Sequence, residues 1–215
     1  MAGKFITFEG GEGAGKTTQV RRRAERLTAS GRTVTVTREP GGTPTAESIR
    51  RLLLSGRPGA LAADDEAVLF AAARADHVEH VIRPALAAGH WVLCDRFTDS
   101  TRAYQGAAGG ADEGLLRALD RVAVGHTRPD LTVILDLPAE VGLARTAERQ
   151  AADGETPDRF ERDDAVLHDL RRQAFLDIAR KEPQRCIVVD ATQSEEAVAD
   201  AVWRAVRMRL LDEAA

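Results

Sequence analysis

The chain has 215 residues, 43% of them hydrophobic and 30% charged, with a formal charge of −4. That length can bury a real core in one domain, and the composition is ordinary for a soluble globular fold. The negative balance argues against a general nucleic-acid coat, so no nucleic-acid partner is expected. Lysine occurs only at positions 4, 16 and 181; every other cation among the 30 is arginine. Cys94 and Cys186 lie inside apolar runs and read as small buried hydrophobes. Phe5 to Phe8 is far too short for a secretory leader. No stretch nears the roughly 18 apolar residues of a membrane span, so no membrane partner and a cytoplasmic location are expected.

In chain order, Lys4 to Glu9 is a short β-rich run and Thr18 to Leu27 a helical segment. Gly31 stops that helix, and the β-branched Thr33 to Thr37 forms the second strand. A turn at Glu39-Pro40-Gly41-Gly42 leads to a helix near Thr45 to Leu54. Asp64 to Ala88 carries a long helical pattern, with Asp64 and Asp65 suited to its N-terminus and Gly89 ending it. His77 and His80 lie three apart on that helix and read as a polar or subunit-facing stripe rather than a metal site. Trp91 to Cys94 is apolar throughout, the mark of a strand buried on both faces. Asp112 to Val124 is helical, Leu131 to Leu135 is the fourth strand, and Ala139 to Gln150 is helical. Ala151 to Pro157 reads as a mobile loop, Asp158 to Lys181 as mostly helix, and Cys186 to Val189 as the fifth strand. Ser194 is an N-cap candidate for a last helix running to Leu211. Strands alternating with helices predict an α/β chain: a five-stranded parallel sheet with helices on both faces.

Gly10 to Thr17, Gly-Gly-Glu-Gly-Ala-Gly-Lys-Thr, fits the phosphate-loop pattern G-x-x-x-x-G-K-[ST] between a strand and a helix. The glycines let successive backbone N–H groups turn inward on a phosphate. Lys16 adds a compact cation, Thr17 a hydroxyl for Mg²⁺, and the helix N-terminus partial positive charge. The strands end in charged residues: Glu9, Arg38-Glu39, Asp95-Arg96, Asp136 and Asp190. In open α/β sheets ligands bind outside these carboxyl ends, so this set is expected beside the loop. Asp136 and Asp190 fit equally well as ordinary polar strand ends at the surface. Asp95, closing a buried strand, is placed to hold Mg²⁺ together with Thr17. No Asn-Lys-x-Asp sequence marks a guanine switch, and motors and helicases are usually longer. The many arginines near strand ends suit a kinase with a phosphate-bearing acceptor, since guanidinium binds phosphate oxygens bidentately.

Seven blocks carry a closer likeness. They are Phe8 to Thr18, Thr37-Arg38-Glu39-Pro40-Gly41-Gly42-Thr43, Leu69 to Arg74, Asp95-Arg96-Phe97, Ala103-Tyr104-Gln105-Gly106, Pro129 to Thr132 and Asp190 to Gln193. In this order, and across nearly the whole chain, they resemble the bacterial thymidylate kinases. The resemblance implies the three-layer P-loop kinase fold in one domain, 1–215, with a short lid insertion around 149–159. It implies conversion of dTMP and ATP to dTDP and ADP with Mg²⁺, on the way to dTTP for DNA synthesis, by a homodimer.

The resemblance also implies roles. Gly10, Gly11, Glu12, Gly13, Ala14, Gly15, Lys16, Thr17 and Thr18 would hold ATP. Phe70 and Arg74, four apart on one helix face, would stack on thymine and donate to its edge. Arg38, Arg96 and Arg50 would hold the dTMP phosphate. Glu12 would meet the 3′-hydroxyl, Tyr104 would crowd the 2′ position, and Thr101 and Gln105 would complete the pocket. Lys16 and Arg96 would act in transfer. The loop's variable positions hold no arginine, so the arginine that stabilises transfer should come from the lid. Arg149 is the first candidate, with Arg145 and Arg159 behind it. Asp153 and Glu155, with no base between Ala151 and Pro157, make this lid less basic than the pattern leads one to expect.

Overall fold

The computed structural model describes residues 3–55, 61–154 and 158–211. Five strands form one parallel sheet: β1 (Phe5–Gly10), β2 (Val34–Arg38), β3 (Trp91–Asp95), β4 (Leu131–Asp136) and β5 (Cys186–Asp190). Their spatial order is β2-β3-β1-β4-β5, all neighbours parallel. β1 is central and buried along its whole length, its polar Thr7 and Glu9 included. The chain winds to β3 and β2 on one side of β1 and to β4 and β5 on the other. A crevice therefore opens at the carboxyl end of β1, where such sheets bind ligands.

Alternate side chains along β1 serve opposite layers. Ile6 and Phe8 pack with Leu93, Val133 and Leu135 against α1 (Lys16–Ala29) and α9 (Glu195–Val206), through Val20, Leu27, Val198 and Val202. Phe5 faces the other layer with Val92, Cys94, Val78 and Ile82. Each fully buried side chain of this size contributes roughly 1.5–3 kcal/mol. That second layer holds α3 (Ala63–His77), α4 (Arg83–Ala87), α6 (Glu113–Val124) and α8 (Ala165–Lys181). α2 (Pro44–Leu54) packs on α3, and α7 (Ala139–Asp153) on α8. Ser194 caps α9 as expected, accepting from the Ala197 amide at 3.2 Å. Among the described residues, no helix is long and apolar enough to cross a membrane.

Four expectations need correcting. The helix from Asp64 to Ala88 is not uniform: a π-helical turn, Val78–Ile82, joins α3 to α4. Pro84 lacks the N–H that a regular turn would send back to His80, and a wider turn accommodates this. A helix not anticipated from the sequence, α5 (Thr98–Thr101), continues into a π-helical stretch, Arg102–Ala108. Its start has no local side-chain cap; Glu9, far away in sequence, accepts the Phe97 and Ser100 amides instead. Of the segment read as a loop from Ala151, residues to Asp153 are helical, Gly154 ends α7 in the left-handed conformation, and 155–157 lie outside the described residues. The helix read from Asp158 is a 3₁₀ turn, Phe160–Arg162, then a break at Asp163 and a fresh start capped by Asp164. Asp158 accepts the Phe160 and Glu161 amides, and this holds the tight turn apart from α8.

Candidate active site

The loop between β1 and α1 is wound tightly. Gly13 has φ 66°, and a Cβ there would sit 2.1 Å from the Gly142 carbonyl oxygen; no other residue fits. Gly15 caps α1 with φ 85° and no side-chain hydrogen bond, so the first-turn amides are left for an anion. Lys16 folds back over the loop, donating to the carbonyls of Gly11 (2.7 Å) and Gly10 (3.1 Å). Burial, with Arg96 close by, pushes its ammonium down to about 8. Thr17 follows, its hydroxyl donating to Asp95 Oδ2 at 2.6 Å. A hydroxyl beside a carboxylate is the hard-oxygen donor set that Mg²⁺ takes when phosphates complete its shell. These two residues therefore fit the ion.

Arg96 is the hub of the cleft. It carries the one positive φ (68°) outside glycine among the described residues, a strained conformation that its surroundings must enforce. Its Nη1 donates to the Gly10 carbonyl (3.2 Å) and Ser100 Oγ (3.1 Å). Its Nη2 donates to Glu12 Oε1 (2.9 Å) and the Tyr104 hydroxyl oxygen (3.1 Å). The Tyr104 hydroxyl in turn donates to Glu12 at 2.6 Å. Burial alone would push the Glu12 carboxyl up, but Arg96 and Lys16 outweigh it and hold the group down at about 2. Burial raises the Tyr104 phenol well above its ordinary range, so it stays a donor. Behind this cluster, burial and the neighbouring Asp99 push Glu9 up to about 7, against the donors of Ser100 and Phe97 and the charge of Arg96.

A cleft of about 800 Å³ runs from the loop past Arg96 to α3. Phe70, Arg74, Thr101, Tyr104 and Gln105 line its far end, and Arg38 and Arg50 its side. The described geometry thus brings together the residues expected around an acceptor. Arg74 is 5% exposed and donates to Glu39 Oε2 (2.7 Å), the Phe97 carbonyl (3.1 Å) and Thr101 Oγ1 (3.0 Å). Gln105 donates to Glu66 at 3.2 Å. Arg38 pairs with Glu47 at 3.1 Å, and Arg50 donates to the Pro40 carbonyl at 2.9 Å. Gly13, Ala14, Gly15, Thr17 and Thr18 line the near end with Glu12 and Lys16, whereas Gly10 and Gly11 meet Lys16 through their carbonyls.

The three lid candidates separate. Arg149 lines the cleft, half exposed, with one contact among the described residues, to Glu161 at 3.3 Å. Arg145 also lines it and donates to the Ala191 carbonyl at 3.1 Å. Arg159 turns away onto Glu66 and the Phe160 ring and lines a separate cavity of about 230 Å³. Of the charged strand ends, Asp136 and Asp190 do not reach the cleft. Asp136 accepts two bonds from Arg172 (2.7 and 3.0 Å), and Asp190 accepts from Thr192 and Gln193. Polar strand ends at the surface are thus what those two are. His77 is also corrected: it is fully buried on Glu39 and Thr37, not part of an exposed stripe, while His80 stays at the surface beside Asp76.

Sequence reasoning missed Ser100, Phe160 and Glu161 in the site and gave Glu9 and Glu39 no role of their own. Ser100 lay in an unforeseen helix. Phe160, whose ring centre is 6.3 Å from that of Phe70, lay in a segment read as ordinary helix. The only local signal was the Asp158-Arg159-Phe160-Glu161 run after a loop.

A glycine loop ending in Lys-Thr, an acid closing the adjacent strand, and a second polar pocket facing the loop define a P-loop nucleotide kinase. The thymidylate kinase family model matches residues 8–202. Thymidylate kinases of Rhodopseudomonas palustris (strain CGA009) and Nitrobacter hamburgensis are each 56% identical to the chain. The first alignment covers 100% of this chain and 93% of the relative, the second 98% and 91%. The crystal structure of thymidylate kinase from Ehrlichia chaffeensis superposes with a TM-score of 0.76 at 35% identity, over 96% of this chain and 99% of that one. The chain belongs to the thymidylate kinase family.

Proposed function

We propose that this chain transfers the γ-phosphoryl group of ATP to dTMP, giving ADP and dTDP on the route to dTTP. The observation that carries the reading is the joint geometry of one cleft: a Lys16–Thr17–Asp95 phosphate end and a Phe70–Arg74–Thr101–Gln105 base end, bridged by Arg96. The loop amides and Lys16 cradle the β- and γ-phosphates. Lys16 swings off the Gly10 and Gly11 carbonyls to do so, and the anions hold it in the ammonium form. Thr17 and Asp95 would hold Mg²⁺, whose charge would offset that on the phosphate oxygens. Phe70 stacks on the base and Arg74 donates to its edge. Arg96, with Arg38 and Arg50, holds the acceptor phosphate in line. Glu12, ionised by Arg96 and Lys16, accepts from the sugar 3′-hydroxyl, and Tyr104 closes the 2′ side. No general base is required, because transfer rests on positioning and charge stabilisation. Arg149, at the cleft mouth with one weak hold among the described residues, moves onto the transferring group.

In this reading residues 1–215 act as one kinase domain in the cytoplasm, as a homodimer. Exposed Val68 and Val122 on the packed pair α3 and α6 support a subunit contact. The deciding experiment is ADP release with ATP and Mg²⁺ over dTMP, dUMP, dCMP, dGMP and thymidine. The expected result is the highest kcat/KM with dTMP; a better acceptor, or tight ATP binding without turnover, overturns it.

A further inference from the structure

Glu39 stands at the end of β2 and its side chain is only 4% exposed. It does not touch the cleft's phosphate end. One oxygen accepts from Arg74 Nε at 2.7 Å, the other from His77 Nδ1 at 3.0 Å. The far nitrogen of the same imidazole, Nε2, lies 2.6 Å from Thr37 Oγ1. In a neutral ring with its proton on Nδ1, Nε2 accepts, and the Thr37 hydroxyl is the donor it meets. Thr37, His77, Glu39 and Arg74 thus form one buried relay from β2 to α3, and Arg74 continues it to Thr101 Oγ1 at 3.0 Å. The Glu39 backbone is fixed as well, its amide donating to the Asp95 carbonyl at 2.9 Å, and a Cβ at Gly42 would come within 2.5 Å of the His77 ring.

Taking a guanidinium into a nearly dry site requires a counter-charge. Packing alone would leave the guanidinium plane of Arg74 free to turn about its last bonds. A carboxylate on Nε, with Phe97 and Thr101 on Nη2, leaves one orientation. We propose that Glu39 is the positioning residue that aims Arg74 at the nucleobase edge and so sets base selectivity, His77 and Thr37 holding the carboxylate in turn. This rests on the reading of Arg74 as the base-edge donor. A base that presents a donor where thymine presents a carbonyl is rejected only if the guanidinium cannot rotate away, so the selectivity lies in Glu39 as much as in Arg74.

The test is a double-mutant cycle of Glu39→Gln and Arg74→Gln on the full chain, reading kcat and KM for dTMP, KM for ATP and the dTMP/dCMP ratio of kcat/KM. Glu39→Gln keeps the shape and removes the charge. It is expected to raise KM for dTMP about tenfold and to lower the dTMP/dCMP ratio by a similar factor, with KM for ATP within about twofold. In the Arg74→Gln background the same substitution should add less than about twofold, because its route of action is gone. A full effect in both backgrounds, or an equal rise in KM for ATP, would mean a general structural role and overturns the proposal. An unchanged dTMP/dCMP ratio in Glu39→Gln beside a collapsed one in Arg74→Gln overturns it too, and leaves the base-edge reading standing. An unchanged ratio in Arg74→Gln removes that reading, and this inference with it. Should Glu39→Gln not fold, His77→Gln keeps the Thr37 contact and drops only the Nδ1 hold. It should raise KM for dTMP about threefold with KM for ATP unchanged; no change sinks the idea.

Discussion

The two ends of the cleft hold their arginines in opposite ways. Arg74, at the base end, is 5% exposed and donates to Glu39, Phe97 and Thr101. Arg149, at the mouth, is 52% exposed and among the described residues meets only Glu161, at 3.3 Å. A buried multidentate cation is pre-aimed and costs nothing to organise when substrate arrives. An exposed pair is worth about 0–1 kcal/mol and is readily exchanged for a better anion. In the proposed reading the base pocket is therefore built before binding, while the transfer charge is left free to arrive with the phosphates.

The largest expected effect breaks the mobile half. Arg149→Ala should lower kcat about 10³-fold, in the range of a supplied arginine, with KM for dTMP little changed. Steady-state kinetics decide, and a kcat within about threefold of the parent would assign the role to another residue, Arg145 first. On the rigid half, Phe70→Ala should raise KM for dTMP roughly tenfold or more, the worth of one stacked base, while the melting temperature holds.

A smaller effect concerns Lys16. Its ammonium, pushed down to about 8 by burial and Arg96, is mostly neutral at pH 8.5 without nucleotide. Bound phosphates restore the charged form, so ATP binding at that pH should take up roughly three-quarters of a proton. Calorimetry in buffers of differing ionisation heat measures this, and equal heats would refute it. For stability the sign is opposite to that of a paired lysine. The folded value lies below the unfolded one, so this group's destabilising contribution, fully present below about pH 8, fades as pH rises from there toward 10.5.

The smallest effect sharpens the contrast itself. Glu161→Gln removes the charge facing Arg149 and keeps an oxygen for the Gln150 and Asp158 donors, so it should move the melting temperature by less than about 2 °C. Glu39→Gln, which strips a buried counter-charge, should lower it several times more. Equal shifts in thermal melts would erase the distinction between the two ends.

Much of this molecule was legible because its signals are local. The strand–loop–helix at Gly10 to Thr17, the five β-rich runs and the glycine stops at 31 and 89 each depend on neighbours in sequence. The i, i+4 spacing alone placed Phe70 and Arg74 on one face. What failed locally was decided at a distance. Helix α5 has no cap of its own and starts because Glu9, 88 residues earlier, accepts the Phe97 amide. Arg159, close in sequence to Arg149, was drawn off by Glu66, 93 residues away.

The sequence by itself determined the phosphate loop, the alternation that makes a parallel sheet and the family blocks, since backbone preference and apolar period are properties of short segments. Only the tertiary structure decided which charges meet. It bent Arg96 into a left-handed turn under Glu12, buried Glu39 between Arg74 and His77, and left Arg149 nearly free. A charge has no periodicity to betray its partner; its pairing follows from which strand ends and helix faces the fold brings within about 3 Å in a site too dry to leave them apart.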